Sequence, residues 1–120
     1  MLEQLQRGEP LPTTMPYVAQ TWTFGGDLTI VFLAGEVFSE YGLRLKAEFR
    51  GKNLWVNAYA NDVRAYIPTA AALLEGGWEV DGSRLNYGVP ARVAPEAEEV
   101  LIRTVKAMLP DQFSPRAPLP

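Results

Sequence analysis

Residues 28–38 read LTIVFLAGEVF. The apolar run centred on Ile30 and Val31 suits a strand buried on both faces, as in the parallel sheets of α/β proteins, and it stops at Ala34-Gly35. Glu36 follows at once, at the start of a helix-like stretch. Two readings of that acid are open. Ligands of open α/β sheets bind beyond the carboxyl ends of the strands, and glutamate is also favoured in the first turn of any helix by the macrodipole.

The neighbouring segments specify how the strand is packed. Tyr17 to Phe24 alternates, with Val18, Gln20, Trp22 and Phe24 on one face and Ala19, Thr21 and Thr23 on the other. Gly25-Gly26 then predicts a β-hairpin into the central strand. From Val37 to Phe49 the residues Phe38, Tyr41, Leu45 and Phe49 recur at helical spacing, with Gly51 as the stop. Leu54 to Ala58 has the content of a short strand, so strand, helix and strand read as a right-handed βαβ crossover. Both strands then end on one edge of the sheet. Glu36 and the loop from Asn57 through Asn61-Asp62 to Tyr66-Ile67-Pro68 are predicted to share that rim.

Thr69 to Glu75 predicts a short helix closed by Gly76-Gly77, and Trp78 to Tyr87 reads as a polar loop. Pro95 to Leu109 is the clearest helix, with Glu96, Glu98 and Glu99 in its first turn and an expected apolar stripe of Ala97, Val100, Leu101, Thr104, Val105 and Met108. The expected fold class is therefore α/β: a β-hairpin leading into a βαβ unit, its small mixed sheet packed by two main helices. That unit spans 17–109, after an irregular lead-in at 1–16 and before a proline-rich tail at 110–120 that reads as disordered or as a linker.

Composition restricts the chemistry more than the fold. The chain of 120 residues is the right length for one core, and no apolar run approaches the roughly 20 residues of a membrane helix. A net charge of −3 with scattered basic residues gives no footprint for nucleic acid or an anionic membrane. With no cysteine and no histidine, thiol catalysis, a Ser-His-Asp triad and Cys-ligated metals are excluded. A zinc site would have to be built from carboxylates and phenols. The first residues carry no signal peptide, and the compartment stays open.

Five short segments in order carry a family resemblance: LAGE (33–36), WVNAYAND (55–62), YIPT (66–69), GGWE (76–79) and NYG (86–88). Over about residues 20–109 the chain resembles the neutral/alkaline, non-lysosomal ceramidase family, in particular the C-terminal part of its zinc hydrolase domain. The resemblance implies a zinc ion held by two histidines, one glutamate and one tyrosine, and a metal-activated water that attacks an N-acyl amide such as that of a sphingolipid. The family's glutamate ligand falls on Glu36 and its tyrosine ligand on Tyr66. Its two histidines lie upstream of the match, so the implied partner is an upstream histidine-bearing segment or a second chain. A tyrosine of the family's YE dipeptide falls on Trp78, whose indole N–H can donate to an oxyanion but cannot exchange a proton near neutral pH.

Around that implied pair, Asn57, Asn61 and Asp62 read either as hydrogen-bonding support for the site or as ordinary turn formers. Glu79 reads as a substrate contact or as a solvated acid, and Trp22, Trp55 and Trp78 read as packing residues ahead of substrate stackers. Two functions follow from different classes. One is part of a zinc-dependent amidohydrolase, incomplete as a lone chain; the other is a non-catalytic α/β binding module derived from such a domain.

Overall fold

The computed structural model describes residues 2–49 and 53–113. A mixed sheet of order β1-β2-β4 forms the centre, from β1 (Ala19–Phe24), β2 (Leu28–Leu33) and β4 (Leu54–Asn57). The hairpin forms as the Gly25-Gly26 signal predicts: β1 runs antiparallel to β2, with Phe24 opposite Leu28 and Trp22 opposite Ile30. Gly25 supplies the turn's left-handed backbone at φ 56°. After β2 the chain enters α2 (Ser39–Glu48) and returns in β4, which pairs parallel to β2 with Ile30 opposite Trp55. The small α/β fold expected from the sequence is the one observed.

One face of β2 is fully buried, by Thr29, Val31 and Leu33. Tyr41 and Leu45 of α2 cover it, together with Leu101, Ile102 and Val105 of α5 (Glu96–Met108). The opposite face corrects the expectation of a strand buried on both sides. Leu28, Ile30 and Phe32 are only half-buried. Trp22 lies against Phe32 with ring centroids 4.9 Å apart, and this face exposes Trp22, Phe24 and Trp55.

Further details differ from the sequence expectation. Glu36 does not begin a helix; Glu36–Val37 form a two-residue strand, β3, paired parallel to β5 (Tyr66–Ile67), and α2 starts only at Ser39. The stripe of α5 is rotated: Ile102 is buried, whereas Thr104 is exposed and Val100 is 49% exposed. Leu101 and Val105 belong to both possible stripes, and contact with the sheet selects the one that includes Ile102. The expected loop at 78–87 is a π-helical turn, Trp78–Gly82, running into α4 (Ser83–Tyr87). Burial of Val80 and Ser83 and the Asp81–Arg92 pair at 2.6 Å hold it there, so tertiary packing overrides its glycines and polar residues. The lead-in contains a short helix, α1 (Leu2–Gln6), made of good helix formers and joined to Arg7 by a pair with Glu3.

The helix at Thr69 forms as α3 (Ala70–Glu75), with the Thr69 side chain accepting from Ala72 N at 3.2 Å and Gly76 at φ 73° ending it. Arg44 ties α2 to the start of α5 through Glu98 at 2.7 Å and Glu99 at 2.6 Å. Glu98 also accepts from Ala70 N at 2.7 Å, so one carboxylate joins α2, α3 and α5. At the C-terminal end a 3₁₀ turn, Asp111–Phe113, buries Phe113 in the core, so packing continues past residue 109. The predicted stop at Gly51 and the rest of the tail, 114–120, lie outside the described residues.

Candidate functional site

The end of β2 and the loop after β4 are woven together by backbone hydrogen bonds. Ala60 N donates to Leu33 O at 3.1 Å, Tyr59 N to Gly35 O at 2.9 Å, Gly35 N to Asp62 O at 2.7 Å, and Glu36 N to Ala65 O at 2.9 Å. The β3–β5 ladder follows directly, with Glu36 opposite Tyr66 and Val37 opposite Ile67. The two residues expected on one rim are thus cross-strand neighbours. Their adjacency comes from sequence-distant backbone pairing, which fixes it more tightly than a shared sheet edge would.

Two residues that the sequence reading did not single out complete the group. Tyr59 donates its hydroxyl to Glu36 Oε2 at 2.7 Å, and Tyr87, from the end of α4, donates to Glu36 Oε1. Both stand inside segments already marked, WVNAYAND and NYG, yet neither lies at a position the resemblance assigns. The available signal was tyrosine itself: of the chain's 5 tyrosines, the other two also serve this rim. Tyr17 donates to Ala34 O at 2.8 Å and Tyr41 to Pro68 O at 3.1 Å.

Tyr66 is the hub of an aromatic cluster. Its ring makes edge contacts with Trp78 at 5.9 Å, with Tyr87 at 6.3 Å and with Phe38 at 6.3 Å. Trp78 reaches it because Gly82 leaves room: a Cβ there would stand 2.6 Å from the indole Cδ1. Glu79 is exposed and lines a small enclosure with Tyr66, Tyr87 and Arg84. The Nε of Arg84 is buried and has no hydrogen-bond partner among the described residues.

The remaining candidates make other contacts. Asn57 is exposed beside an open groove that also borders Tyr59, and Asn61 Nδ2 donates to Gln20 Oε1 at 3.4 Å. Asp62 pairs through its carboxylate with Arg64, and it reaches the rim by its backbone carbonyl. Asn61 and Tyr59 both have left-handed backbones, at φ 65° and 56°. Asparagine tolerates that region; a tyrosine there is uncommon.

The electrostatics follow from the hydrogen bonds. Donation from Tyr87, then from Tyr59, holds the Glu36 carboxyl below the usual carboxylate range, with a smaller contribution from Tyr66. The carboxylate in turn holds the three phenols protonated: Tyr59 and Tyr87 are raised, and Tyr66 is pushed up to about 12, chiefly by its interaction with Glu36. Among the described residues no lysine or arginine pairs with Glu36, and no group of three His, Cys, Asp or Glu stands close enough to enclose a metal. As donors to zinc, the Glu36 carboxylate and the Tyr66 phenol are suitable oxygens, but by themselves they make only part of a shell. No family model, no curated protein and no solved structure matches this chain.

Proposed function

We propose that the chain is the C-terminal portion of a ceramidase-like, zinc-dependent amidohydrolase domain that cleaves an N-acyl amide, its site completed by a histidine-bearing segment or chain. The supporting observation is the direct pairing of Glu36 with Tyr66 at the carboxyl end of the central strand. In this reading the two residues contribute oxygen ligands, and Trp78 offers its indole N–H toward the substrate carbonyl. A zinc ion bound there would supply Lewis acidity and a water of lowered pKa, near 7. Glu36 is suited to its part because its charge is retained, whereas the Tyr66 phenol, raised to about 12 by that charge, would give up its proton only once a bound cation offsets the carboxylate.

Calorimetry with zinc tests this on the whole chain and on Glu36→Ala and Tyr66→Phe. Weak binding by the wild type that is lost in both variants is the expected result; tight binding indifferent to both sinks the reading. The chain with added zinc is expected to show no hydrolysis of N-acyl amides. Turnover abolished by Glu36→Ala would overturn the need for a second segment.

A second reading, a non-catalytic binding module, is favoured by one observation, the sheet face on which Trp22 and Trp55 are more than half exposed. The DNA preceding the Met1 codon separates the two. An in-frame extension encoding histidines supports the hydrolase portion, and a stop codon followed by a ribosome-binding site supports the module.

A further inference from the structure

The carboxylate of Glu36 is held from two sides by segments far apart in the chain. Tyr59 belongs to the loop after β4 and Tyr87 to the end of α4, respectively 23 and 51 residues from Glu36 along the sequence. Each takes a different carboxylate oxygen. An ionised carboxylate offers about four acceptor positions, so these two phenols engage one on each oxygen and leave up to two, with Tyr66 making a weaker interaction on that side. With both oxygens tethered, the plane of the group cannot rotate freely, and the remaining positions have a fixed direction relative to Tyr66.

The identity of the tethers matters. A carboxylate on a protein rim is commonly held by lysine or arginine, which cancels its charge and opposes a cation. Here phenols hold it, and a phenol orients the group by hydrogen bonding while leaving its full negative charge in place. Tyr59 serves from a left-handed backbone at φ 56°, a conformation that a bulky side chain adopts only where its surroundings enforce it. The enforcement is visible: Tyr59 N bonds to Gly35 O, one residue before Glu36, so the strained residue and the carboxylate it holds share one hydrogen-bonded frame.

We propose that Tyr59 and Tyr87 are positioning residues that clamp the Glu36 carboxylate, one oxygen each, and present its free lone pairs beside Tyr66 for a hard cation. The inference rests on the reading of Glu36 and Tyr66 as paired oxygen ligands. It predicts that outer hydrogen bonds tune cation affinity without touching the cation, an effect of 10- to 100-fold per partner lost, to order of magnitude.

The test uses the whole chain and two readouts. The first needs no metal: three-bond NMR couplings report the side-chain rotamer of Glu36. A single rotamer in the wild type and rotamer averaging in the Tyr59→Phe/Tyr87→Phe double variant are expected, with circular dichroism unchanged. A single rotamer retained in the double variant, or averaging already in the wild type, overturns the clamp. The second readout is terbium(III), whose emission is excited through neighbouring tyrosines. Affinity is expected to vanish in Glu36→Gln and to fall roughly 10-fold or more in each phenylalanine variant. Binding that depends on Glu36 but not on the two tyrosines overturns the clamp alone. Binding indifferent to Glu36, or no binding by the wild type, overturns the ligand reading and with it the clamp's purpose toward cations, while the rotamer measurement still decides whether the clamp exists.

Discussion

Gly35 lies so close to Ala65 that a Cβ at position 35 would stand 2.7 Å from the Ala65 carbonyl oxygen. The same Cβ would meet Ile67 Cγ1 at 3.1 Å, and the backbone at Gly35 is left-handed at φ 77°. The glycine of LAGE is therefore the condition for weaving the two loops that bring Glu36 beside Tyr66. Gly35→Ala combines a left-handed penalty of about 1–2 kcal/mol with a clash against backbone, and is expected to lower stability by roughly 2–4 kcal/mol. Gly42 in α2 is the internal control. Its added Cβ would find only Val56 Cβ at 4.0 Å, and Gly42→Ala should raise stability by up to about 1 kcal/mol. Urea denaturation of both variants decides; equal effects would mean the rim does not need that glycine.

The rotation of α5 is tested by two truncations. Ile102→Ala removes a buried side chain and is expected to cost about 2–5 kcal/mol, whereas Val100→Ala on the exposed side should cost under about 1 kcal/mol. Comparable losses at the two positions would restore the stripe expected from the sequence. Both stripes have the right period, so periodicity alone identifies a helix here but not its inward face; contact with the sheet makes that choice.

That case marks the limit of what the sequence carries. The hairpin, β2, α2 and α3 were legible because each has a local cause: Gly25-Gly26 at the turn, an uninterrupted apolar run, apolar residues at helical spacing, and Thr69 with Gly76 as caps. The β3–β5 ladder was not, since two residues have no period and Glu36–Val37 pair only because the loop after β4 folds back on Gly35. Within the site, the shared rim brings Glu36 and Tyr66 onto one edge, and the family resemblance points to the same two residues. Tyr59 and Tyr87 escaped because their roles depend on a left-handed backbone and on a helical turn that the glycines at 77 and 82 disguise.

Arg84 carries a buried Nε without a partner among the described residues. An unsatisfied buried donor costs roughly 1–3 kcal/mol, so replacing the side chain by one of similar length and no polar head should be neutral or favourable. Arg84→Met is expected to raise the thermal midpoint or leave it unchanged. A loss above about 1 kcal/mol would mean that the guanidinium makes a stabilising contact through its other nitrogens.

Tyrosine ionisation offers the sharpest reading of the site, because all 5 phenols are raised for two separable reasons. Burial is the first cause for Tyr17 and Tyr41; interaction with Glu36 is the first cause for Tyr59, Tyr66 and Tyr87. A phenol raised in the folded state binds its proton more tightly there than in the unfolded chain. Its contribution to stability is therefore complete below the ordinary value near 10 and is lost as pH rises through the folded value, about 12 for Tyr66. Glu36 works at the other end: its depressed carboxyl contributes above the ordinary carboxylate value and loses that contribution as pH falls through the folded one. In an ultraviolet titration, tyrosinate absorbance of the native chain should lag behind that of the denatured chain above pH 10. In Glu36→Gln three phenols are expected to return toward 10 while Tyr17 and Tyr41 stay high, so the curve splits into an early component of three and a late component of two. An unchanged curve in Glu36→Gln would mean that the carboxylate does not hold these hydroxyls in solution.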